Sequence, residues 1–254
     1  MYGEHDLSSL SIFSGSFINY GYWQGTDPDR PITVEERTES QAELYRLVVS
    51  GLKARQGDRL LELGCGLGVG AALVAREFGV IVTGLDRSEA QLERARTVNA
   101  EAIETLPDRL SFQQGSVTAL PVADNAAEGV YAVEMLQHVD DLAAVAREVR
   151  RVLRPGSRFA TAGFFAPEAA DSPVAELLET VESGIDVIRP VGELTAALED
   201  AGLGQTRTVS IGERVWPHFD RWIAQTEHAD TWSRNWLRCY ENGWIDYYLV
   251  TARR

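Results

Sequence analysis

The stretch that most constrains this chain is Leu61-Glu62-Leu63-Gly64-Cys65-Gly66-Leu67-Gly68. It closes an apolar run, residues 59–63, that reads as a buried strand, and it opens a helical pattern over residues 68–78. Closely spaced glycines let the backbone turn tightly and let a ligand approach without meeting a Cβ. A glycine turn between a strand and a helix N-terminus is where open α/β sheets hold nucleotide-type ligands.

The flanking pattern agrees. Leu44, Leu47, Val48 and Leu52 recur at helical steps within residues 33–54, and Thr33 with Glu36 has capping-box spacing. Strands are then expected over 80–85, 110–113, 129–133 and 158–165, and helices over 88–100 and 142–153. Further on, helices are expected over 173–183 and 191–201, and strands over 205–215 and 245–252. Such alternation predicts an α/β fold: a doubly wound, mostly parallel sheet of about seven strands with helices on both faces.

Two registers of the glycine turn compete. Gly66-x-Gly68-x-x-Ala71 fits a dinucleotide site and leaves an NAD-dependent oxidoreductase open. The other register places Glu62 two residues before Gly64. A carboxylate there repels a pyrophosphate and suits a cation such as the ammonium group of S-adenosylmethionine. Asp86 ends the second strand 18 residues after Gly68, where a carboxylate accepts from ribose hydroxyls of either cofactor. Arg87 beside it fits a 2′-phosphate or a solvated side chain.

The chain resembles the class I S-adenosylmethionine-dependent methyltransferases, which have a Rossmann-like fold. The resemblance rests on residues 61–68, Gly84-Leu-Asp86, the block 115–121, Val130-Tyr-Ala-Val-Glu-Met-Leu-Gln-His138 and Val149-Arg-Arg-Val-Leu-Arg-Pro-Gly156. It is nearest the small-molecule branch with antibiotic and tocopherol methyltransferases. Asn19-Tyr-Gly-Tyr-Trp23 resembles that branch's lid signature, Ser88-Glu-Ala-Gln-Leu92 its second helix start, and residues 243–253 its last strand. The resemblance implies S-adenosylmethionine as cofactor. Glu62 and the backbone of Gly64, Cys65 and Gly66 would hold its methionine part, and Asp86 its ribose. Arg87 and Gln91 would lie nearby, Gly115, Ser116 and Val117 would flank the adenine, and the Glu134 main chain would receive the amino group. Tyr20 or Tyr22 would close over it. Ser116 stands where the family often has Asp, which weakens the adenine contact. The implied organisation is a lid over 1–35 and a methyltransferase domain over 36–254. Segments 166–190 and 216–242 would be cover and insertion helices.

His138 follows the fourth strand and suits a base that takes a proton from a hydroxyl nucleophile, or a packing residue. Five of the six tryptophans fall between residues 216 and 244. Trp216, Phe219 and Trp222, and then Trp232, Trp236 and Tyr240, recur at helical steps. With Phe17 and Trp23 they fit an apolar acceptor pocket as well as ordinary core. The expected acceptor is a bulky, mostly apolar natural product, methylated on oxygen. A methyltransferase-fold cyclase without methyl transfer stays open. Asp124-Asn125 reads as a turn, and no metal is expected. The net charge of −14 argues against nucleic acid and anionic membranes. With two cysteines, no apolar run of about 18 residues and no signal-peptide pattern, a cytoplasmic protein is expected. Oligomeric state is not legible.

Overall fold

A computed structural model describes residues 12–169 and 172–254. Residues 1–11, with His5 and the start of the expected lid, and two positions of the expected cover segment lie outside the described residues. The elements in chain order are α1 (Val34–Leu52), β1 (Arg59–Leu63), α2 (Val69–Phe78), β2 (Ile81–Asp86), α3 (Glu89–Val98), α4 (Ala100–Thr105), β3 (Leu110–Gln114) and β4 (Ala127–Val133). There follow α5 (Leu142–Val152), β5 (Leu153–Phe165), α6 (Val174–Leu177), α7 (Glu179–Glu182), α8 (Val191–Asp200), β6 (Gly204–Ser210), α9 (Trp216–Ile223), α10 (Asn235–Glu241) and β7 (Asp246–Arg253).

The seven strands form one sheet in the order β3-β2-β1-β4-β5-β7-β6. β1 runs parallel to β2 and β4, β2 to β3, and β4 to β5, whereas β7 is antiparallel to both β5 and β6. Apolar side chains pack in two clusters. One joins α1, α2 and α3 with the aromatic helices α9 and α10. The other joins α5 and α8. In α5, Leu142, Val145, Ala146, Val149 and Val152 recur at three- and four-residue steps and all are buried. α1 starts at the expected capping box, with the Thr33 side chain accepting from the Glu36 amide and Glu36 accepting from the Thr33 amide.

Three local expectations differ. The helix expected over 173–183 is two short pieces, because Leu178 is extended and fully buried between them. The strand expected to reach residue 215 stops at Ser210, and Gly212–Arg214 forms a 3₁₀ turn. α4 was not expected from the sequence. The strand order reverses between β1 and β4, so their carboxyl ends open the crevice where ligands bind in such sheets.

Candidate active site

A cavity of about 460 Å³ lies over the carboxyl ends of β1, β2, β3 and β4. That volume suits a small-molecule site. Its floor is the 64–68 turn. Gly66 has φ of +51°, and a Cβ there would meet no protein atom within 4 Å. The glycine therefore leaves room in the cavity rather than room for packing. Asp86 Oδ2 accepts from the Gly66 amide at 3.1 Å and Oδ1 from the Ser88 amide at 2.9 Å. This fixes the carboxylate at the rim with lone pairs left for a ligand's hydroxyls. Ser116 Oγ lies 2.8 Å from Thr118 Oγ1, so its hydroxyl is engaged within its own turn.

Of the candidates, Phe17, Gly64, Cys65, Gly66, Asp86, Arg87, Gln91, Gly115, Ser116, Val117, Glu134 and His138 all line this one cavity. Others do not. Glu62 lies behind the turn, 1% exposed, accepting from Tyr45 Oη at 3.1 Å and Tyr131 Oη at 3.0 Å. Burial pushes its carboxyl up to about 8, although both hydroxyls pull it down. One of its two donors, Tyr45, is a cavity residue that sequence reasoning missed.

Tyr20 and Tyr22 do not close over the cavity. The Tyr20 ring is packed by Phe164, Trp216, Phe219 and Trp236, with centroids 4.7–5.8 Å away. Its amide donates to Glu134 Oε1 at 2.7 Å and its carbonyl accepts from Arg37 at 3.0 Å. Tyr22 and Trp23 border a separate shallow cleft with Glu35, Glu36, Glu39 and Glu43. Among the described residues of the N-terminal segment, Ser16, Phe17 and Ile18 reach the cavity.

The structure also places most of the expected aromatic pocket residues away from this cavity. Trp216, Phe219, Trp222 and Trp236 are 0–6% exposed and absent from the cavity wall. Trp216 and Trp236 stack at 5.2 Å with planes 3° apart, and Tyr247 packs on Trp216. Trp23 stacks on His218. These rings are core between the sheet and the N-terminal segment, where flat faces bury large areas against one another.

His138 ends the 3₁₀ turn Leu136–His138 after β4. Its Nδ1 lies 2.9 Å from the Ile185 carbonyl oxygen and 3.3 Å from Asp186 Oδ1. A carbonyl only accepts, so Nδ1 carries the proton and a neutral ring holds its lone pair at Nε2. Asp186 was missed by sequence reasoning, since no periodicity or motif marks it. Glu134 has φ of +47°, a left-handed conformation held at the end of β4. Its amide donates to the Ala162 carbonyl, and its own carbonyl accepts from Gln137 Nε2 at 2.7 Å. Asp124 pairs with Arg151 at 2.8 Å in the turn before β4, away from the cavity.

The arrangement fits a cationic adenosyl ligand. Asp86 stands at the rim of a turn with open space at Gly66, and the N-terminus of α2 has no side-chain cap. A model of the methyltransferase domain matches residues 61–161. The chain is 36% identical over 162 residues to O-methyltransferase resE of Aspergillus sclerotiorum, covering 64% of this chain and 58% of that protein. The alignment thus spans less than two thirds of resE. It is 33% identical over 210 residues to 27-O-demethylrifamycin SV methyltransferase of Amycolatopsis mediterranei, covering 82% of this chain and 74% of that protein. Its fold is similar to geranyl diphosphate C-methyltransferase of Streptomyces coelicolor, solved with S-adenosyl-L-homocysteine. The TM-score is 0.83 at 19% identity, over 100% of this chain and 94% of that one. Glycine turn, acidic end of β2, strand order and these likenesses agree, and the chain belongs to the class I S-adenosylmethionine-dependent methyltransferases.

Proposed function

We propose that this protein methylates a hydroxyl oxygen of a bulky, mostly apolar small molecule of secondary metabolism, with His138 as general base. The observation that carries the reading is His138 in the wall of the cavity that also holds Asp86, with Nδ1 committed to the Ile185 carbonyl. S-adenosylmethionine supplies, when bound, a methyl group on a positively charged sulfur that is already a good leaving group. Asp86 would hold the ribose hydroxyls, and the amides of Gly64, Cys65 and Gly66 the methionine part. Residues 115–117 would flank the adenine, with Gln91 and Arg87 at the rim and the Glu134 main chain near the amino group. His138 would take the acceptor's hydroxyl proton at Nε2 as the oxygen attacks, and positioning supplies most of the rate.

An apolar acceptor is supported by Phe17, Ile18, Val133, Met135 and Val139 in the wall, and methylation of a large natural product on oxygen by the name of the rifamycin relative. The net charge of −14 disfavours a strongly anionic acceptor, a nucleic acid or an anionic membrane as partner. Among the described residues, no helix is long and apolar enough to cross a membrane. Two buried free thiols, Cys65 and Cys239, accord with the cytoplasm. We place the domain at 36–254, with the N-terminal segment as its cover.

The test is incubation with methyl-labelled S-adenosylmethionine and a panel of macrolactone, terpenoid and phenolic alcohols. Label should enter the product as a methyl ether. Cyclised product without label would sink the methyl-transfer reading. His138→Ala should lower turnover by about 10²–10⁴-fold and leave cofactor affinity alone. Near wild-type turnover at pH 7 would remove the base assignment.

A further inference from the structure

Both acceptors of the His138 Nδ1 proton come from one segment outside the sheet, residues 183–190 between α7 and α8. Asp186 itself is 4% exposed, although its carboxylate serves no helix cap and no arginine in the described structure. The segment is anchored at three points. The Asp186 amide donates to the Thr180 carbonyl at 2.8 Å, the Val187 amide to the Gln137 carbonyl at 3.0 Å, and the Ala166 amide to the Arg189 carbonyl at 2.9 Å. The middle bond ties the segment to the very turn that carries His138.

We propose that Asp186 is a positioning residue for methyl transfer: it fixes the His138 ring with Nδ1–H toward the 183–190 segment and stabilises the cation formed when Nε2 takes the acceptor's proton. The inference rests on His138 as the base. A carboxylate in contact with an imidazole favours the protonated ring and selects its tautomer. Other charges around the ring are weaker candidates for that task. The Asp141 side chain caps α5 by accepting from the Ala144 amide at 2.8 Å. The Glu134 carboxyl is occupied by Tyr20 and Tyr247. Arg189 donates to the Asp140 carbonyl at 3.4 Å, and Asp140 follows His138 on the cavity rim. Only the Asp186 carboxylate stands within 4 Å of Nδ1 among the described ion pairs. Because the partners sit on the cover rather than the sheet, the base is complete only while residues 183–190 are docked.

The experiment is a nitrogen-15 NMR titration of the histidines in protein saturated with S-adenosyl-L-homocysteine, for wild type, Asp186→Asn and Asp186→Glu. His138→Ala assigns the signal. The wild-type ring should be the Nδ1–H tautomer. In Asp186→Asn it should protonate at a pH lower by roughly one unit or more, and Asp186→Glu should recover most of that shift. An Nε2–H tautomer in the wild type, or superimposable titrations of wild type and Asp186→Asn, would overturn the proposal. The wild-type tautomer can overturn the proposal without a variant, and the Asp186→Asn and Asp186→Glu titrations separate Asp186 from the Ile185 carbonyl, which selects the same tautomer. Turnover of His138→Ala reads the base assignment by itself, which keeps the two failures apart.

Discussion

Replacing Glu134 by glutamine should change how stability depends on pH. The Glu134 carboxyl is buried under the N-terminal segment, where Oε1 accepts from the Tyr20 amide at 2.7 Å and from Tyr247 Oη at 2.6 Å. Burial pushes it from 4.5 up to about 8, against those two bonds and the nearby Arg37, which pull it down. The folded value lies above the unfolded one, so the native state keeps a proton that the unfolded chain has released. Stability from the neutral carboxyl is full below about pH 4.5 and is lost as pH rises through about 8. At about 1.36 kcal/mol per unit, the whole window amounts to roughly 5 kcal/mol, of which about half falls between pH 5 and pH 7.

Glu134→Gln keeps an oxygen to accept both bonds and has nothing to titrate. Its melting temperature relative to wild type should therefore rise by about 5–10 °C between pH 5 and pH 7, at about 2–4 °C per kcal/mol for a chain of this size. Calorimetric melts at pH 5, 6, 7 and 8, at one ionic strength and without cofactor, measure this. Glu62, also pushed up to about 8, is present in both proteins and cancels in the difference. Parallel curves for wild type and Glu134→Gln across that range would refute the assignment of a buried neutral carboxyl.

With Asp86 on the ribose as proposed, Asp86→Ala would remove two charge-assisted bonds, about 1.5–3 kcal/mol each. Calorimetry with S-adenosyl-L-homocysteine should show at least a hundredfold weaker binding, and an unchanged affinity would remove Asp86 from the site. Trp236→Ala leaves a hole beside Trp216, Phe164 and Tyr20, and should cost about 3–5 kcal/mol of stability. A variant that melts like wild type but loses acceptor affinity would return the tryptophans to the pocket.

The parallel half of the sheet was legible because β1, β2, β3 and β4 each end at a glycine or an acidic residue, Gly64, Asp86, Gly115 and Glu134, and the central strands β1 and β4 are mostly apolar. Residues 60–63 are buried on both faces, as a central parallel strand must be. The strand expected over 205–215 shows the limit of alternation. Ile211 and Val215 continue the apolar pattern and are both buried, yet the chain turns at Gly212. A Cβ there would stand 2.1 Å from Asp246 Oδ1, so the glycine marks a close approach, not a strand position. The clue was a single residue whose meaning depends on β7, some thirty-four positions later.

At the site, the residues on the sheet's own loops were legible, because motif spacing reports one local turn at a time. Tyr45 and Asp186 were not, since each acts across the fold, on Glu62 and His138. The aromatic residues failed for another reason. Helical spacing says that Trp216, Phe219 and Trp222 share a face, but not what that face meets. The polar groups answer it. Arg221 donates to Thr26 and to the carbonyls of Asp27 and Arg30, Gln225 exchanges two bonds with Ile32, and the Trp23 amide donates to the Arg214 carbonyl. Arg37 and Gln41, both fully buried, bind the carbonyls of Ile12, Phe17, Asn19 and Tyr20. The segment over residues 17–32 is thus a strap stitched at once to α1, β4 and α9. Lifting it would expose Tyr20 and its ring partners and break most of these bonds together. The cavity therefore lies clear of the strap's aromatic rings, with Ser16, Phe17 and Ile18 and, from the sheet's own loops, His138 and Asp140 in its wall.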